Sequence, residues 1–299
     1  LFPYTTLFRS GAGKGKKMMH YSRLPILLTI LMFIAFAVSA AAAPKPDLWP
    51  RWKEHNPSDT RVVDHTAWAR ILDKYLVTGH PSGVNRVKYA AFNRQDTQKL
   101  GDYISKLETV TVTELNREEQ KAFWINLYNA LVVKVVLDHY PVESIREIDI
   151  SPGFFGLFGG GPWKAELVEI EGEKISLDDI EHRILRPIWR DNRIHYGMNC
   201  ASIGCPNLQP KPFTAKNTDE LLDKGAAEYI NHPRGVKFDS ENKMTASSIY
   251  DWFREDFGGT EKGVIEHLLE YSEPALARRL KSFDGSIDYH YDWSLNDFK

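Results

Sequence analysis

Apolar positions recur at helical spacing along much of the chain. Trp68, Ile71, Leu72, Tyr75 and Leu76 follow the i, i+3, i+4, i+7, i+8 pattern and predict an amphipathic helix from about Asp64, stopped by Gly79 and Pro81. A loop or short strand over Val84 to Phe92 leads to a second helix at about Asp96 to Leu107. From Asn116 to His139 almost no polar face remains, which predicts a helix in the centre of the fold, ended by Pro141. Asn126 and Asn129 interrupt it on one face. Leu167 to Ile175 alternates around Gly172 and reads as a hairpin, and Ser176 with Asp179 opens a helix in capping-box fashion. Arg193 to Asn199 reads as a short strand before a loop over Cys200 to Pro212. Beyond it the pattern predicts a helix (Thr218 to Ile230), a hairpin (Val236 to Thr245), a helix (Ser247 to Phe257), one or two helices (Glu261 to Leu280) and a strand around Ile287 to Leu295. No regular strand–helix alternation supports a doubly wound sheet. The predicted class is α+β: a helix-rich single domain around a central apolar helix, with a small antiparallel sheet.

The N-terminal region changes the picture of what folds. Residues 1–17 lack a starting Met and run into a Gly/Lys stretch, and read as non-native or read-through sequence. Residues 18–41 have signal-peptide order: a polar start, an apolar run from Leu24 to Val38 containing Pro25, and small residues from Ser39. That run is 15 residues long, short of the roughly 18 expected of a spanning helix, so membrane attachment is expected only if the segment is retained. A leader at 42–60 and one domain at 61–299 follow, expected in the periplasm or outside the cell. Without residues 1–40, which hold five basic and no acidic residues, the balance moves from 38 Lys+Arg against 40 Asp+Glu to 33 against 40. With no long basic run, nucleic acid is not expected as a partner.

Candidate chemistry concentrates in Arg193 to Pro206, which carries both cysteines of the chain, Cys200 and Cys205, and His195. Three readings stand open. An exported protein with two nearby cysteines is a setting for a disulfide. Cys200 is also a candidate nucleophile with His195 as base and Asn126 or Asn129 as orienter, a reading weakened because on an ideal strand His195 and Cys200 face opposite sides. His182, His195 and the two thiols are a third, metal-binding possibility, without Cys-x-x-Cys or His-Glu-x-x-His spacing. The two asparagines otherwise satisfy buried backbone groups. His139 suits a helix C-terminus, and Asp251, Trp252, Glu255 and Asp256 on one helix are equally open to being a solvated edge. The glycine-rich stretch from Phe154 to Trp163 lacks phosphate-loop spacing and reads as an apolar flap over a groove. No cofactor is expected.

Five blocks carry a family resemblance: Ala122-Phe123-Trp124-Ile125-Asn126-Leu127-Tyr128-Asn129-Ala130; Ser176-Leu177-Asp178-Asp179-Ile180-Glu181-His182; His195-Tyr196-Gly197-Met198-Asn199-Cys200-Ala201-Ser202 through Cys205-Pro206; Ser248-Ile249-Tyr250-Asp251-Trp252-Phe253; and Tyr291-Asp292-Trp293-Ser294-Leu295-Asn296. In these the chain closely resembles the domain of unknown function 547 family. The resemblance assigns no activity. It also implies a distant relation to the papain and transglutaminase-like fold, in which a cysteine opens a central helix and a histidine lies on a later strand. Here the helix opens with Phe123, Trp124 and Asn126 and no cysteine, while His195 matches the strand histidine. Two functions follow as expectations. One is a cysteine-dependent hydrolase or acyl transferase acting on peptide or amide bonds. The other is a non-catalytic module binding a peptide or envelope component, with Cys200–Cys205 as a structural disulfide.

Overall fold

The computed structural model describes residues 45–151 and 161–299, which belong to one compact unit, Ala43–Lys299. The expected signal segment and most of the glycine-rich stretch lie outside the described residues. Helix α1 (Thr66–Tyr75) buries the expected Trp68, Ile71, Leu72 and Tyr75. Helix α2 (Arg94–Glu108) opens on Asn93, whose side chain accepts the Asp96 N–H, and packs between α1 and the central helix α3 (Arg117–His139). Asn116 caps α3 by accepting the Glu119 N–H at 2.9 Å. Every side chain from Ala122 to Val133 is buried, because α3 is surrounded on all sides. The leader closes one of those sides, with Trp52 set edge-on against Trp124 at 5.1 Å between ring centres.

Leucine and valine at 76–77 form β1 (Leu76–Val77), paired antiparallel with β2 (Arg86–Val87). The expected hairpin is present as β3 (Val168–Ile170) and β4 (Glu173–Ile175), turning through Glu171 and Gly172, both at positive φ as a tight hairpin requires. Ser176 and Asp179 then exchange the capping-box bonds: Ser176 Oγ accepts the Asp179 N–H at 3.1 Å, and Asp179 Oδ2 accepts the Ser176 N–H at 3.0 Å. The next turns, Asp179–Leu185, are wound as a π-helix that continues into α4 (Arg186–Trp189).

The strand expected over Arg193 to Asn199 is instead a helical turn, α5 (Ile194–Gly197). Residues 194–199 are all buried, so the one-sided burial that a half-exposed strand needs is missing. Helix α6 (Thr218–Ile230) crosses α5 at Gly197, where an added Cβ would meet the Leu222 side chain at 2.7 Å. Beyond it, β5 (Val236–Ser240) and β6 (Lys243–Ser247) pair antiparallel, and β7 (Ser286–His290) joins β6 in parallel, so this third sheet is mixed. Between them lie α7 (Ile249–Trp252), α8 (Glu261–Tyr271) and α9 (Pro274–Lys281). The helix expected to run to Phe257 breaks after Trp252 into a 3-10 turn, Arg254–Phe257.

Two apolar clusters result, one around α3 and one formed by α6, α7, α8 and the mixed sheet. Helix α5 joins them, since Ile194 packs in the first and Tyr196 in the second. His195 lies between these two residues, at the seam.

Candidate functional site

The segment following α5 is held by α3. Asn126 pairs with both backbone groups of Phe213: its Nδ2 donates to the carbonyl at 2.7 Å and its Oδ1 accepts the N–H at 3.0 Å. Asn129 donates to Gly197 O at 2.8 Å and accepts from the Asn199 N–H at 2.8 Å. Both amides are therefore spent on backbone, as buried polar groups must be. Among the described residues neither bonds an imidazole. Asn199 extends the lacing, donating to Pro206 O and accepting from the Ala201 N–H. Ala201 itself stands at φ 60°, in the left-handed region.

Within this loop Cys200 and Cys205 are joined as a disulfide, with 6.2 Å between their Cα atoms. The Tyr291 hydroxyl lies 3.1 Å from Cys200 Sγ and 3.0 Å from Cys205 Sγ, and accepts from Ser202 Oγ at 2.9 Å. Burial raises the Tyr291 phenol well above its ordinary pKa, so it is a neutral hydrogen-bonding group here.

His195 serves a different cluster. Its Nε2–H donates to Asp256 Oδ2 at 2.7 Å, and its Nδ1 lies 3.8 Å from Glu181 Oε1. Arg186 Nε donates to the same Asp256 oxygen at 2.6 Å, and Arg186 Nη1 donates to His182 Nδ1 at 3.0 Å. Phe253 covers the assembly, stacked on His195 at 4.2 Å, with the Arg186 guanidinium 4.8 Å from its ring centre. Burial lowers the His195 pKa against the opposing pull of Asp256, and lowers that of His182 to about 3 with the help of Arg186. Burial by itself would raise the Asp256 carboxyl, but the bonds from His195 and Arg186 hold it at about 2. Glu181 goes the other way: burial pushes it up to about 7, and Asp178 beside it rises to about 6 for the same reason. The π-helix matters to this arrangement. Its wider turn carries the Arg186 N–H back to Glu181 O, five residues earlier, and lets Glu181, His182 and Arg186 serve one cluster.

A rim of half-buried aromatic rings adjoins both clusters. Tyr291 and Trp293 lie 4.7 Å apart, Trp252 lies 4.9 Å from Tyr291 and 5.6 Å from Trp293, and Trp163 lies 6.4 Å from Trp293. The Trp163 carbonyl accepts the Asp178 N–H at 2.9 Å, which ties the rim to the carboxyl pair.

Of the four residues predicted as catalytic, the structure brings Asn126, Asn129 and Cys200 to one laced loop, and commits His195 to Asp256. The sulfur of Cys200 is bonded to Cys205. Among the described residues, no group of three or more His, Cys, Asp or Glu is placed to hold a metal ion. His139, at the end of α3, bonds the Val135 carbonyl at 2.9 Å. Asp256, read as part of a solvated edge, points inward to His195 and Arg186, whereas Asp251 and Glu255 are exposed. Glu181, Arg186 and Asp256 were not singled out by spacing, because Glu181 and Arg186 would not share a face on an α-helix. The usable signal was their place in or beside the family blocks.

Fold and site together define a helix-rich α+β domain in which a disulfide-locked loop and a buried carboxylate–imidazole–guanidinium cluster meet at an aromatic rim. Residues 112–230 match the model of the family described as protein of unknown function, DUF547, and this segment supports the family resemblance read from the sequence blocks. The match covers α3, the π-helix, α5, the disulfide loop and α6, and stops before Asp256 and most of the rim. No curated protein and no solved structure matches the chain.

Proposed function

We propose that this chain is an exported, non-catalytic module that binds a peptide or envelope component at the aromatic rim, with Cys200–Cys205 as a structural clamp. The observation that carries this reading is the pairing of the site: sulfur bonded to sulfur, and the His195 ring bonded to Asp256. A thiolate–imidazole pair of the kind nucleophilic catalysis uses is not formed. The start of α3, where a papain-like relation would set a nucleophile, carries buried Phe123 and Trp124. Half-buried rings beside partly exposed carboxyls suit a ligand with an apolar face and hydrogen-bond donors. Export is supported by the N-terminal pattern and by the disulfide, which persists in oxidising compartments. The test is a tryptophan-fluorescence titration of the full domain with a peptide library and with cell-wall fragments. Saturable quenching that Trp252→Ala and Trp293→Ala abolish supports the module; no response to either probe sinks it.

A second reading keeps Cys200 as the nucleophile of a cysteine-dependent hydrolase or acyl transferase after reduction of the bridge. It is favoured by the Ser202 and Tyr291 hydroxyls, 3.2 and 3.1 Å from Cys200 Sγ, which would receive a freed thiol. Reductant-dependent amide hydrolysis lost in Cys200→Ala would establish it in place of the module.

A further inference from the structure

Beside the disulfide loop, and sharing no lining residue with the aromatic rim, lies a cleft of about 300 Å³ lined by Arg86, Ile203, Leu295, Asp297 and Phe298 among others. Its location follows from the way the C-terminal segment is threaded. Asn296 N–H donates to Ala201 O, Ile203 N–H donates to Ser294 O, and the Phe298 N–H donates to Val87 O. These bonds bring β2, the disulfide loop and residues 294–298 side by side. Ile203, Leu295 and Phe298 supply apolar wall.

Two charged groups of opposite sign share this cleft without meeting. Asp297 is 5% exposed; its Oδ2 accepts from the Tyr140 hydroxyl at 2.8 Å, while its Oδ1 is buried with no hydrogen-bond partner. A buried carboxylate oxygen without a donor is destabilising until one reaches it. Arg86 has its Nε buried and likewise unpartnered, and no carboxylate lies within ion-pair distance of it among the described residues. A second guanidinium, Arg234, stands near enough to Arg86 to repel it, and its own Nε is also unpartnered. Arg234 donates to Ile203 O at 3.4 Å and to Asn207 Oδ1 at 2.8 Å, so its nearest partners are neutral. Of the other charges on the cleft, Lys299 pairs with Glu143 at 2.8 Å and also attracts Asp297 from beyond hydrogen-bond distance.

The geometry points to a binding site for a small zwitterion, an α-amino acid with an aliphatic side chain, whose carboxylate faces Arg86 and whose ammonium faces Asp297. An anion relieves the repulsion between the two guanidiniums, and a planar carboxylate suits the guanidinium fork. An ammonium supplies the donor that Asp297 Oδ1 lacks. The aliphatic side chain lies on Ile203, Leu295 and Phe298, and the cleft volume is at the small end of ligand sites, which fits a single amino acid. This site is separate from the aromatic rim and does not depend on what binds there.

The experiment is calorimetric titration of the folded domain with L-valine, with N-acetyl-valine, which has only the negative group, and with valine amide, which has only the positive one. L-valine is expected to bind saturably, and each blocked form to bind at least about tenfold more weakly. Arg86→Gln and Asp297→Asn should each weaken L-valine by about tenfold or more. Asp297→Asn keeps an oxygen for Tyr140; should that variant fail to fold, Arg86→Gln and the blocked ligands still decide. No heat from L-valine at about 10 mM overturns the proposal, as does equal binding of a blocked form or undiminished binding to Arg86→Gln.

Discussion

Glu181 shows how a single residue records its surroundings. It sits between the Tyr128 hydroxyl at 3.4 Å and the His195 imidazole, and burial outweighs the nearby Arg186 charge in setting its proton affinity. Its folded-state pKa of about 7 lies above the ordinary 4.5, so between those values the native protein holds a proton that the unfolded chain has released. Stability from this group therefore falls as pH rises through that window, by at most ~1.4 kcal/mol per pH unit. In urea unfolding at a series of pH values, Glu181→Gln should gain on the wild type by about 1–3 kcal/mol between about pH 5 and about pH 8. A difference that does not vary with pH would show that the carboxyl is not raised. The residue was visible in the sequence only as part of a block, because nothing in Asp178-Asp179-Ile180-Glu181-His182 announces which carboxylate is turned inward.

Among the elements, α3 has two duties: it is the centre of the main apolar cluster and the rail on which the site loop is hung. The run of apolar residues made the first duty plain. The second rests on Asn126 and Asn129, whose partners lie 87, 68 and 70 residues away. Asn129→Ala leaves the Gly197 carbonyl and the Asn199 N–H unpaired in a buried setting, and is expected to cost about 2–4 kcal/mol in chemical denaturation. Asn129→Asp keeps the acceptor and loses the donor, so it should distinguish the two bonds. The π-helix was not legible, since its apolar residues Ile180, Ile184 and Leu185 also fit an ordinary helix. Helix α5 was misread for the opposite reason: six consecutive buried residues carry no period at all, and a turn and a strand then look alike.

Across the whole molecule, the disulfide closes a loop with a sequence separation of only 5 and lies where α3, α6 and the C-terminal segment converge. A loop that short removes little unfolded-state freedom, so Cys200→Ala with Cys205→Ala should lower stability by about 2 kcal/mol. The urea midpoint should drop with the slope unchanged, because the two apolar clusters remain; a changed slope would mean that the bridge holds more than its loop. The Tyr291 hydroxyl at both sulfurs couples this bridge to the rim, so the same variant should perturb the emission of Trp252 and Trp293.

The sequence by itself determined the longer helices, the buried position of α3, the capping box at Ser176 and Asp179 and the stretch in which chemistry could reside. Each of these depends on residues close in the chain, and spacing reports which face of an element is apolar. Only the tertiary structure decided that His195 bonds Asp256 rather than Cys200, that the two asparagines hold backbone, and that Tyr291 sits on the sulfurs. Those contacts join residues 61 to 91 positions apart, or depend on a widened helical turn. Local spacing carries no information about which of several polar groups arrives opposite which, because the choice is made by the packing of the two apolar clusters around the seam at α5.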